Sequence, residues 1–162
     1  MQAITAAAIA LDALYATLQP HVKLPPGLIK RWRTRRTARY SQVAEILRRA
    51  FLLEPTGGTA LRQNLKEIYR FRDLAVHPSG KIEAPILHPE LNVGVEWRFV
   101  YFRASNAELA VNKATEMIRE LTSVTRFHND EVQRYATELR GRLDELLGTG
   151  RSLPGAVSPG ST

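Results

Sequence analysis

Apolar residues return every three or four positions through most of the chain, the spacing of one face of an α-helix. Over residues 3–18, Ile4, Ala8, Leu11 and Leu14 or Tyr15 share a side, and Pro20 ends the run. This predicts a buried first helix. A connector holding Pro25 and Pro26 follows. A second helix is predicted over about residues 33–53, with Val43, Ile46, Leu47, Ala50 and Phe51 as its stripe. Pro55, Gly57 and Gly58 read as a break, and Thr59 as the cap of a third helix over residues 60–76. Leu61, Leu65, Ile68, Ala75 and Val76 point that helix inward. The period then changes to two, with Val93, Val95, Trp97, Phe99 and Tyr101 alternating with their neighbours. That pattern predicts a strand, paired with residues 82–87 in a small hairpin. Ser105 and Glu108 are spaced as a capping box for a fourth helix, whose stripe is Ala110, Ala114, Met117, Ile118 and Leu121. A fifth helix is predicted over residues 129–147, stopped by Gly148. The expected fold is mainly α, a four- to five-helix bundle with a short β-hairpin or extended insertion before the fourth helix. It forms one helical domain over residues 1–147, followed by a Gly-, Pro- and Ser-rich flexible tail over 148–162.

The 162 residues suffice for one domain with a real core. With no cysteine, disulfides and thiolate metal sites are excluded, and a reducing, cytoplasmic setting is expected. The apolar runs read as too short for a membrane span, and no basic leader precedes the first one, so no membrane partner is expected. The net charge of +7 changes the picture through its location. Between residues 13 and 44 there is no acidic side chain, but there are seven basic ones: Lys23, Lys30, Arg31, Arg33, Arg35, Arg36 and Arg39. Elsewhere the charges balance, so the whole excess lies in this segment, where an anionic partner would bind. Lys30, Arg31, Arg33, Arg35, Arg36 and Arg39 are the candidate contacts to a phosphate backbone. Trp32 is either a base-stacking residue or a packing residue.

One residue conflicts with the helical pattern. At about 100° per residue, Arg72 falls in the middle of the apolar arc of the third helix. An arginine there needs a partner, a ligand or another subunit, unless its stem packs while its head reaches water. Five residues on stands His77, before Pro78. A guanidinium holds phosphate by paired, charge-assisted hydrogen bonds, and an imidazole moves protons near neutral pH. Together they are the groups that metal-free RNA cleavage needs. Asp73, four residues before His77, either orients the imidazole or forms a surface ion pair with Arg70 or Lys66. Arg72 and His77 lie about 140° apart around one helix, so two copies about a two-fold axis would be needed to aim both at one phosphate.

An Arg-x4-His sequence closing the third helix of an all-helical chain resembles the HEPN superfamily, with Arg72, Asp73 and His77 matching its motif. The resemblance implies a helical bundle, a homodimer whose motifs meet at the interface, and metal-independent endoribonuclease activity. It also implies a toxin or defence role with RNA as partner and a protein antitoxin or regulator as a further one. Arg70 is the alternative motif arginine, six residues from His77. Ser79 stands where one branch of the family carries a tyrosine modified by a nucleotidyltransferase antitoxin. The rival expectation is a non-catalytic module that binds protein, nucleotide or nucleic acid.

Other chemistry finds little footing. His21, His77, His88 and His128 lack ligand spacing, so neither a metal nor a cofactor is expected. Gly57-Gly58 reads as a simple turn rather than a phosphate loop, and serine-hydrolase motifs are absent.

Overall fold

The computed structural model describes residues 1–77 and 84–148. Within them the chain is mainly helical, with one small hairpin ahead of the last helices. The helices are α1 (Gln2–Leu18), α2 (Leu28–Thr34), α3 (Arg39–Ala50), α4 (Pro55–Val76), α5 (Trp97–Tyr101), α6 (Ala104–Thr122) and α7 (Asp130–Gly148). A single 3₁₀ turn, Gln19–His21, extends α1.

The centre of the bundle is α1, which packs against α3, α4 and α6, while α7 packs on α6. Ile4, Ala8, Leu11 and Leu18 of α1 are wholly buried, a stripe that follows the three-and-four spacing of its sequence. By composition and length, Gln2–His21 also passes as a membrane-crossing helix, contrary to the expectation that every apolar run falls short. In the bundle its apolar stripe is covered by the other helices. Across from it, Val43, Ile46 and Leu47 of α3 and Leu65 and Ile68 of α4 complete the core. Each such side chain contributes roughly 1.5–3 kcal/mol by leaving water.

Four local expectations are corrected. The helix expected over 33–53 is two helices, because Arg36 takes a left-handed conformation (φ 47°) and turns the chain between α2 and α3. The Thr37 amide donates to the Trp32 carbonyl at 2.9 Å and closes that corner. Second, Pro55 does not break the chain but starts α4. A missing amide costs nothing at a first helical position, so Gly57 and Gly58 lie inside the helix. Thr59 is then no cap, and its hydroxyl donates back to the Pro55 carbonyl at 3.0 Å. Third, the alternating run after Val93 is strand only at Gly94–Val95, which pairs antiparallel with Ile86–Leu87. Trp97–Tyr101 is the short helix α5, with the Trp97 and Tyr101 rings 5.8 Å apart. Residues four apart fit a helix as well as an even alternation, and packing chose the helix. Fourth, α6 begins at Ala104 with Arg103 as its cap residue, so Ser105 and Glu108 form no capping box. Residues 82 and 83 of the expected hairpin, Pro78 and Ser79, and the expected tail from 149 onward lie outside the described residues.

Candidate functional site: a carboxylate between two arginines

Asp12 is the one charged residue of α1, placed beside the buried stripe between Ala8 and Tyr15. Its carboxylate draws three other elements to one point. Arg39, the first residue of α3, donates from Nε to Oδ1 at 2.7 Å. The Tyr69 hydroxyl of α4 donates to the same oxygen at 2.7 Å. Arg72, three residues further along α4, sets a guanidinium nitrogen 3.6 Å from Oδ2. The other arm of Arg72 donates to Asp73 Oδ1 at 2.9 Å. Both arginines lie against aromatic rings, Arg39 3.9 Å from the centre of Tyr15 and Arg72 5.4 Å from that of Tyr69. The partner required by Arg72 on its apolar face is therefore supplied within the chain. Its side chain keeps 26% of its exposure, so the guanidinium is held in place yet reaches solvent.

The electrostatics follow from this packing. Burial opposes the charge of Arg39, but the hydrogen bond and opposite charge of Asp12 outweigh it and raise the pKa of Arg39. Burial, reinforced by the bond to Asp12, pushes the Tyr69 phenol far above its ordinary range, although Arg39 and Arg72 pull the other way. Tyr69 is therefore a fixed neutral donor. The cluster offers two permanent cations around one anion, a geometry able to grip an oxyanion placed at its open side.

The motif histidine lies apart from this cluster. His77 is the C-cap residue of α4, exposed, with its amide donating to the Asp73 carbonyl at 2.8 Å. Arg72 turns toward α1 instead of toward His77, as the angular separation on one helix requires. Asp73 is engaged with Arg72, so neither Arg70 nor Lys66 is its partner, and Arg70 is exposed. One position before Arg72 on α4, Phe71 meets Tyr101 of α5 with ring centres 6.1 Å apart. This contact packs α5 beside the motif.

The basic segment is split by the fold. Lys30, Arg31 and Arg33 are exposed on α2, and Arg35 and Arg36 are exposed at the corner that follows. Arg39 does not belong with them, because Asp12 and Tyr15 hold it inward. Trp32 is buried at 8% exposure and packs in the core. The sequence reading missed Asp12 and Tyr69. The signal for Asp12 was there, a lone carboxylate in an alanine- and leucine-rich helix. His88 proves to be a structural residue of the hairpin loop, its Nδ1 accepting the amides of Glu90 and Leu91 at 3.2 Å each. Among the described residues no three histidine or acidic side chains converge as metal ligands.

Compared with family models, with curated proteins and with solved structures, the chain matches none.

Proposed function

We propose that this protein is a metal-independent endoribonuclease of HEPN type that acts as a homodimer. The observation that carries the reading is Arg72, held partly open to solvent near the end of α4, with exposed His77 closing the same helix. In a two-fold dimer, Arg72 of one copy and His77 of the other would face a common phosphate. Exposed Val76, Leu87, Leu91, Val93 and Phe99, near the motif end of α4 or on the hairpin and α5, supply apolar surface for the second copy.

In the proposed reaction His77 takes the proton from a ribose 2′-hydroxyl. The 2′-oxygen bonds to phosphorus, the bond from phosphorus to the 5′-oxygen breaks, and a protonated imidazole returns a proton to that oxygen. Arg72 neutralises charge growing on the non-bridging oxygens, and Asp12 and Asp73 keep its guanidinium oriented. The product carries a 2′,3′-cyclic phosphate, and DNA, lacking the nucleophile, resists. Lys30, Arg31, Arg33, Arg35 and Arg36 would track the phosphate backbone.

The pairing of Arg72 with Asp12 also favours a second reading, a non-catalytic binding module in which Arg72 locks α4 to α1. Labelled RNA incubated in EDTA separates the two. Cleavage by wild type and Arg70→Ala, lost in Arg72→Ala and His77→Ala, supports the nuclease and identifies its arginine. Intact RNA with folded, dimeric wild-type protein selects the module.

A further inference from the structure

A cleft of about 630 Å³ opens between α2, α3 and the first half of α4. This is the size range of small-molecule sites, about 300–1,000 Å³. Its wall on α4 carries Arg62 and Lys66, one helical turn apart. The only acidic side chain lining it, Glu45, is already bound by Arg48 and Arg49 through hydrogen bonds of 2.6–3.1 Å. The cleft therefore holds two cations with no ion pair or hydrogen bond to an acid among the described residues. Against them stands Tyr40, half-buried, with the Arg62 guanidinium 6.0 Å from its ring centre. Trp32 closes the apolar side. Gly58 allows the close packing here, since a Cβ at that position would lie 2.8 Å from Arg48 Cδ.

Positive charge on one wall and an aromatic ring on the other suit a ligand that joins a phosphate to a flat ring. We propose that this cleft binds a nucleoside monophosphate, its phosphate on Arg62 and Lys66 and its base against Tyr40. The nucleotide is either free or one unit of a single strand. Guanidinium and ammonium hold the phosphate by charge-assisted bonds, and stacking on Tyr40 adds sequence-tolerant affinity. Tyr40 follows Arg39 directly in α3. The binding requires no cleavage, and so it is separable from the nuclease reading.

The test is calorimetric titration of the full chain with AMP, adenosine and inorganic phosphate, and with a short 2′-O-methyl oligonucleotide that cannot be cleaved. AMP should bind at least tenfold more tightly than adenosine or phosphate alone. Arg62→Gln combined with Lys66→Gln should weaken AMP about tenfold or more, with circular dichroism unchanged. Tyr40→Leu should weaken AMP while leaving phosphate as before. His77→Ala should leave AMP affinity intact, whatever it does to RNA cleavage. If the oligonucleotide loses affinity in parallel with AMP, the ligand is a unit of a strand. If AMP alone loses it, the ligand is the free nucleotide. No binding of AMP at millimolar concentration, or equal binding to the folded double variant, overturns the proposal.

Discussion

Removing the Asp12 carboxylate tests most directly what holds α1, α3 and α4 together. In Asp12→Ala, Arg39 loses a bond of 2.7 Å, the buried Tyr69 hydroxyl loses its acceptor, and Arg72 keeps only Asp73. A hydrogen bond to a charged group contributes about 1.5–3 kcal/mol, and a buried donor left unpaired costs about 1–3 kcal/mol. Exposure discounts the ionic part, since the side chains of Arg39 and Asp12 keep 37% and 26% of their surface. The expected loss is about 2–4 kcal/mol, a large share of the stability of one domain. Tyr69→Phe should cost about 1 kcal/mol, because donor and desolvation penalty leave together. The double variant should then lose less than the sum, by about 1 kcal/mol, since once Asp12 is gone the hydroxyl is only a liability. Urea unfolding followed by circular dichroism reads all four proteins, with stability taken from the midpoint at constant slope. A loss under about 0.5 kcal/mol for Asp12→Ala, or additivity of the two changes, would refute this account of the cluster. The same series carries a pH signature. The folded phenol titrates above its unfolded value, so this contribution is complete below pH 10 and declines as pH rises beyond it. Tyr69→Phe should flatten that alkaline decline.

Three further outcomes are expected. Burial works against the charge of Glu45, but hydrogen bonds from Arg48 and Arg49 outweigh it and lower its pKa below 4.5, so its stabilisation holds above that pH and is lost as pH falls through the folded value. Glu45→Gln should flatten the acid limb of urea midpoints measured between pH 5 and 3, and an unchanged limb would count against the pairing. Changing Arg31, Arg33 and Arg36 together to Gln should lower affinity for all single-stranded RNAs and reduce the slope of log affinity against log salt by about 2, from roughly 0.7 per phosphate contact. An unaltered slope would remove α2 from the RNA path. Leu65→Ala, at a wholly buried position of α4, should cost about 2–5 kcal/mol in the same urea assay, and a cost below about 1 kcal/mol would contradict its place in the core.

Some of the site was open to the sequence. The misplaced arginine was visible because a cation on an apolar arc breaks the helical pattern, and the structure does give Arg72 a partner. Which partner was not visible, since Asp12 lies sixty residues away and only the crossing of α1 with α4 joins them. Arg39 illustrates the reverse error. In a run of basic residues it counts as one more surface charge, yet after the turn at Arg36 it lies against Asp12 and Tyr15 of α1. Trp32 was open to two readings, and burial selects packing. The cleft between α2, α3 and α4 had no sequence signal, because its cations and its aromatic ring come from different helices.

What the sequence determined by itself is the helical class, the positions of most inward stripes and the small hairpin ahead of the last helices, because these depend on local periodicity and on turn residues. It left undecided where Pro55 and Gly57 stand relative to a helix, whether the run from Trp97 to Tyr101 extends or coils, and which charges meet. Those outcomes turn on contacts between residues far apart in the chain. Spacing along a helix records which face a residue occupies, but only the packing of one helix on another determines what that face meets.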